Sequence, residues 1–233
     1  MIEPTLKSIP AGVYTLGVPV VASGVRHIWE GPVSIETEGF LIGETAVTVQ
    51  EFKEFLIETK GAVDGDFAPL TNQAGNLPAG GISWEDAGEY VNWLAEKTGK
   101  PYRLPTADEW EIAARGGLEG RKYPWGDEAP AGRCNYDTGI LEPVKSYEPN
   151  GYGLYGMAGS IWCWCNDLWI DRVKHDPPVN TPTNRPAEIN RILRGGSYLT
   201  KEENNMMMRC AYIHEDPPEL RHACLGMRVA CGL

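Results

Sequence analysis

The chain has 233 residues, 42% of them hydrophobic, which is enough to fill one sizeable core or two small ones. Its 27 glycines and 18 prolines favour turns and loops over long regular elements. With 21 basic and 32 acidic residues the net charge is −11, which argues against nucleic-acid or anionic-membrane partners and leaves solubility as the plain reading of the acidity.

The opening residues, Met1 to Ser8, show no basic segment followed by an apolar run, so no secretory signal is read. The apolar stretch from Val13 to Val25 is interrupted by Gly17, Pro19 and Gly24 and is too short to span a bilayer. A cytoplasmic setting is expected, with Cys134, Cys163, Cys165, Cys210, Cys224 and Cys231 mostly reduced. No Cys-x-x-Cys pair occurs, so a structural zinc site is not expected, and small core residues are the plain reading of the thiols.

Residues Ile9 to Val18 read as an opening strand, and Val33 to Ile42 as a second. Thr48-Val49-Gln50-Glu51 is a capping box that starts a helix. Val49, Phe52, Phe55 and Leu56 line that helix, and Gly61 ends it. The Gly/Pro/Asn/Asp-rich segment from Gly61 to Ile82 reads as loop. Ser83-Trp84-Glu85-Asp86 opens a second helix with a stripe of Ala87, Tyr90, Val91 and Leu94, stopped by Gly99. Thr106-Ala107-Asp108-Glu109 opens a third, lined by Trp110, Ala113 and Ala114 and ending at Gly116-Gly117. Beyond Gly117 no helix is expected, only short strands and long loops.

The stretch from Asn150 to Trp169 organises the second half. Its glycines permit positive φ and close backbone approach, while Trp162, Trp164 and Trp169 supply large flat surfaces. On an extended strand Trp162 and Trp164 share one face, and Cys163 and Cys165 share the other. With no internal repeat and no long linker, a single α+β domain over residues 1–233 is expected.

Several segments together carry a family resemblance. They are Arg103-Leu104-Pro105-Thr106 with Glu109-Trp110, Ala113-Ala114-Arg115-Gly116-Gly117, Tyr123-Pro124-Trp125-Gly126-Asp127-Glu128, Gly153-Leu154-Tyr155-Gly156-Met157-Ala158-Gly159-Ser160-Ile161-Trp162, Arg194-Gly195-Gly196-Ser197-Tyr198, and Gly226-Met227-Arg228-Val229-Ala230. In that order the chain resembles the formylglycine-generating enzyme, or sulfatase-modifying-factor, family over nearly its whole length. The resemblance implies a variant of the C-type lectin fold with few helices, short strands and long loops. It also implies an oxidative chemistry, because the formylglycine-forming members oxidise a sulfatase cysteine with oxygen and copper(I). They hold that metal with two cysteines placed just after Arg-Gly-Gly-Ser-aromatic. Here those positions are Thr200 and Asn205. Copper(I) prefers thiolates, and a hydroxyl and an amide do not replace them.

A calcium loop of the family is also altered, with Gly156 and Cys163 where an Asn and a Glu are implied. A second loop, Asn135, Tyr136 and Asp137, keeps oxygen groups for calcium, the alternative being solvated loop polarity. Read as an enzyme with other ligands, the chain would draw on Trp162, Ser197, Cys163 and Cys165. Packing of both cysteines in the core is the favoured reading. The histidines, His27, His175, His214 and His222, show no third metal ligand at a suitable spacing. The acidic pairs Glu202-Glu203 and Glu215-Asp216 read as solvated loop groups, and Met206-Met207-Met208 as a loop tip or an adaptable contact surface.

Some members of the family resemble the variable proteins of diversity-generating retroelements, whose C-terminal stretch is diversified at adenines. Tyr212, His214, Asp216, Leu220, His222, Ala223 and Cys224 are all reachable from Asn codons in that way. Under this reading Asn204, Asn205, Tyr212, His214, Asp216, Leu220, His222 and Cys224 form an exposed surface for a protein or small-molecule ligand. A catalytically dead relative that binds sulfatases is a further alternative. Loss of the copper pair is specific, and it favours binding over catalysis.

Overall fold

The computed structural model describes residues 2–17, 32–173 and 189–233. Four short strands stand where the sequence predicts two: the stretch Ile9 to Val18 holds one strand and only the last residue of another, Val18 itself lying outside the described residues, and the stretch Val33 to Ile42 is bent into two. Leu6–Ile9 (β1) and Gly12–Leu16 (β2) part at Pro10-Ala11, and Val33–Thr37 (β3) and Phe40–Gly43 (β4) part at Gly39. Gly39 has a φ of 91°, and a Cβ there would sit 3.0 Å from the Ile9 carbonyl oxygen, so the corner requires glycine. The bend sends β1 and β4 into one sheet and makes β2 and β3 a separate antiparallel ribbon.

The three capping boxes form as expected. Thr48 and Glu51 cap Val49–Lys60 (α1), Ser83 and Asp86 cap Trp84–Thr98 (α2), and Thr106 and Glu109 cap Ala107–Arg115 (α3). Gly61, Gly99 and Gly116 close them in the left-handed conformation. The expected apolar stripes are buried, with Phe52, Phe55, Phe67, Tyr90 and Trp93 in one edge-and-tilt aromatic cluster between α1 and α2.

Three helical pieces depart from the loops expected. Gly65–Asn72 and Glu202–Met208 are 3₁₀ segments, and Trp169–Val173 is a short helix, α4. A 3₁₀ turn has three residues per turn and lacks the wider apolar stripe that marks an α-helix in sequence. The second segment also divides the methionine run: Met208 is fully buried, whereas Met206 and Met207 are half-buried against the main core.

Six further strands follow: Tyr102–Arg103 (β5), Trp162–Leu168 (β6), Arg191–Arg194 (β7), His214–Asp216 (β8), Leu225–Met227 (β9) and Ala230–Cys231 (β10). One sheet runs β1-β4-β10-β5 and the other β8-β7-β6-β9, the β6–β9 pair being parallel. Strand β6 divides the interior as its alternation requires. Trp162 and Trp164 enter the core shared with α1 and α2, while Cys163 and Cys165 enter the core beneath α3 with Trp110, Phe40 and Ile42. Both faces of its first half are therefore buried.

A buried ionic cluster joins α3 to the second sheet. The Arg194 guanidinium, fully buried, donates to Glu111 Oε2 at 2.9 Å and to the carbonyls of Ala107, Cys210 and Tyr212 at 3.0, 3.1 and 2.9 Å. Arg115 holds the other Glu111 oxygen at 2.6 Å. Burial alone would raise the Glu111 carboxyl, but Arg194, Arg115 and the Gly17 amide outweigh it and hold it below its ordinary value. A group depressed in the folded state adds stability above the ordinary carboxylate range and loses it as pH falls through its folded value. Glu111→Gln should therefore cost about 3 kcal/mol or more at neutral pH by leaving two guanidiniums without a counter-charge. In urea unfolding the gap between wild type and E111Q should narrow steadily as the medium is acidified below that range.

Candidate ligand-binding site

Strand β7 delivers Arg194-Gly195-Gly196-Ser197 to the edge of the main core. Gly196 has a φ of 73°, and a Cβ there would lie 2.7 Å from Met208 Cγ, so the turn has no room for a side chain. Ser197 is buried. Its N–H donates to Thr200 Oγ1 at 3.0 Å, and the Thr200 N–H returns a bond to the Ser197 carbonyl at 2.9 Å.

Beside this turn lies a cleft of about 580 Å³. Asp66, Leu70 and Gln73, in or just after the 3₁₀ segment Gly65–Asn72, form one wall, and Tyr198, Arg221 and His222 form the other. Arg221 is fixed by a two-pronged pair with Asp86, Nε to Oδ2 and Nη2 to Oδ1 at 2.8 Å each, at the start of α2. The floor is backbone against backbone. The Gly81 N–H donates to the His222 carbonyl at 3.1 Å and the Ile82 N–H to the Leu225 carbonyl at 3.1 Å. A Cβ on Gly80 would stand 2.1 Å from the Ala223 oxygen, so only glycine admits this contact.

Sequence reasoning placed the site residues unevenly. Of the eight proposed surface residues, His222 lines the cleft. Asn204, Leu220 and His222 are exposed, and Asn205, His214 and Asp216 are half-buried. Tyr212 and Cys224 are buried, and for them the expected exposure is corrected: both pack in the core that contains Trp162. The Trp162 ring lies 6.2 Å from Tyr212 and 5.2 Å from His214, and the Trp162 backbone N–H donates to the Cys224 carbonyl at 2.9 Å. His27 and His175 lie outside the described residues.

The metal positions are equally plain. Thr200 accepts the Ser197 amide, and Asn205 donates its side-chain N–H to Glu202 at 3.2 Å, so neither is a soft ligand and copper(I) does not fit. Cys163 and Cys165 are buried in the core beneath α3, and burial pushes both thiols up. In the second loop Asn135 Oδ1 is buried without a partner, but Asp137 is taken by Lys201 at 2.7 Å and the Tyr136 hydroxyl donates to Glu202. A hard cation needs about six to eight oxygens, and these three residues do not assemble that set. Among the described residues, no three His, Cys, Asp or Glu side chains gather for a metal.

The sulfatase-modifying factor enzyme 1-like domain matches residues 3–233. The chain belongs to that family. Its fold is the family's C-type lectin-like frame, α+β with few helices and short strands. A formylglycine-generating enzyme of Streptomyces coelicolor is 40% identical over 171 residues, covering 66% of this chain and 52% of that protein. The chain thus spans about half the length of that relative. PvdO from Pseudomonas aeruginosa superposes with a TM-score of 0.81 at 27% identity, over 99% of this chain and 95% of PvdO. Treponema denticola variable protein 1 gives 0.76 at 25% identity, over 100% of this chain and 96% of that one. No described helix of this family member is long and apolar enough to cross a membrane.

The sequence alone does not mark Asp66, Leu70, Gln73, Tyr198 or Arg221 as walls of the cleft. The first three sat in a segment read as plain loop. Arg221 had a signal, being the lone cation between the acidic run Glu215, Asp216 and Glu219 and His222. Replacing Gly80 with alanine should drive the 222–225 segment off its seat. A cost of about 1–3 kcal/mol is expected, because backbone cannot be relieved by a rotamer change. Urea midpoints of wild type and G80A measure it.

Proposed function

We propose that this family member is a ligand-binding protein and does not form formylglycine. Its cleft, walled by Asp66 and Leu70 on one side and Tyr198, Arg221 and His222 on the other, takes a small molecule or a loop of a partner protein. The observation that carries this reading is the pair of former metal positions. Thr200 and Asn205 are tied into local hydrogen bonds and leave no thiolate where copper(I) would bind.

Similarity to a protein named as variable supports a recognition role for the C-terminal segment, which in this chain supplies one wall of the cleft. The net charge of −11 turns this role away from nucleic acids and anionic membranes. A catalytically dead relative that binds sulfatases is the protein-partner form of the same reading. The six free cysteines suit a reducing compartment such as the cytoplasm. An oxidase that replaces the copper pair with Cys163 and Cys165 is disfavoured, since both are all but fully buried in the core beneath α3, where no ligand reaches them.

Two measurements test the proposal. In an NMR fragment screen, binders should shift the amides of Tyr198, Arg221 and His222 together. With copper(I) and a cysteine peptide, an oxygen electrode should record no uptake above buffer. Catalytic oxygen uptake, or binders that all leave the cleft unshifted, would contradict it.

A further inference from the structure

The cleft wall ends in a side-chain pair that ligand binding alone does not use. His222 Nδ1 lies 3.0 Å from Cys224 Sγ. The same nitrogen accepts the Cys224 backbone N–H at 3.4 Å, which makes it an acceptor and places the ring proton on Nε2. The thiol is then the donor in the sulfur–nitrogen contact. The Ser197 side chain also hydrogen-bonds the sulfur. The turn that brings the pair together is fixed by the Leu225 N–H on the His222 carbonyl at 2.8 Å and the Trp162 N–H on the Cys224 carbonyl at 2.9 Å. Of the six cysteines Cys224 is the most accessible, at 9% against 0 to 6% for the rest.

We infer that Cys224, with His222 as its base, is a nucleophilic thiol that captures a disulfide-bearing ligand at the edge of the cleft by thiol–disulfide exchange. This chemistry presumes the cleft as the ligand site. The thiol proton passes to His222 Nδ1. The thiolate attacks one sulfur of the ligand, a new bond to Cys224 forms, and the ligand's own sulfur–sulfur bond breaks. The departing thiolate takes the proton from the imidazolium. One thiol and one disulfide enter and one of each leaves, so no outside oxidant or reductant is consumed.

The backbone favours sulfur over carbonyl electrophiles. The amides of Gly81, Ile82, Trp162, Cys224 and Leu225 all have acceptors already, so they offer no cradle for the oxyanion of an acyl transfer. Exchange at sulfur builds no such charge. Burial pushes the Cys224 thiol above its ordinary value while Ser197 opposes that, so a base is needed to form thiolate near neutrality. The charged groups around the pair are Asp216 on β8, which disfavours the thiolate, and Arg221, which is held by Asp86 of α2 and lies 3.8 Å from Asp66.

The native protein is treated with the chromogenic aromatic disulfide dithiobisnitrobenzoate, and the modified peptide is identified by mass spectrometry. One fast equivalent should be consumed, on Cys224, and the fast phase should vanish in Cys224→Ser. His222→Ala should slow it by about tenfold or more at neutral pH. His222→Gln, which keeps a hydrogen-bonding side chain but supplies no base, should slow it to the same extent, and this readout holds even if H222A fails to fold. First modification of another cysteine, or an unchanged rate in a folded H222A or H222Q, would overturn the assignment. Cleft binding by fragments without thiol reactivity would also overturn it, while leaving the binding function standing.

Discussion

The Arg194 guanidinium is the constraint on which the rest depends. A fully buried charge is tolerated only when it is paired and hydrogen-bonded, and Arg194 meets that demand by drawing three parts of the chain together. It takes Glu111 and the Ala107 carbonyl from α3, and the Cys210 and Tyr212 carbonyls from the C-terminal segment, while standing at the end of β7. The glycine turn that follows, and with it Ser197 and Tyr198, leaves the frame from a fixed point. Trp162 fixes the other side through its backbone N–H to the Cys224 carbonyl. Frame and site thus share their hydrogen bonds, and neither can shift far without the other.

That arrangement holds the family's frame together without help from Thr200 or Asn205. The motifs shared with the family serve mainly to hold the fold. Arg103 pairs with Glu109, which also closes the capping box of α3 with Thr106, and Arg194 pairs with Glu111 two residues further along the same helix. Thr200 and Asn205 sit outside these contacts and bond locally. A hydroxyl and an amide at these two positions are poor ligands for a soft metal, and neither takes part in the ionic contacts that hold the frame.

Helices were the most legible elements because their ends are written in side chains. Each capping hydroxyl, each reciprocal carboxylate and each closing glycine occupies the position its local pattern requires. The alternation of tryptophan and cysteine along β6 likewise told which side chains would share a core. The split of the first strands was not legible, since alternation continues through Gly39 and gives no sign of a turn out of plane. The cleft was hidden for another reason: its walls are about 150 residues apart in sequence and meet through Gly80 against Ala223, a contact that no local pattern encodes. His222 and Cys224 were each visible as surface candidates, but their pairing depends on a turn seen only once the chain is folded.

Oxygen and nitrogen at Thr200 and Asn205 leave no pair of sulfurs beside Ser197, while the packing around them stays whole. Copper K-edge X-ray absorption on protein loaded anaerobically with copper(I) reads the ligand atoms. No stoichiometric copper ligated by two sulfurs is expected in the native chain, and one such copper is expected in the Thr200→Cys, Asn205→Cys double variant. One copper per native chain bound by two thiolates would contradict that expectation.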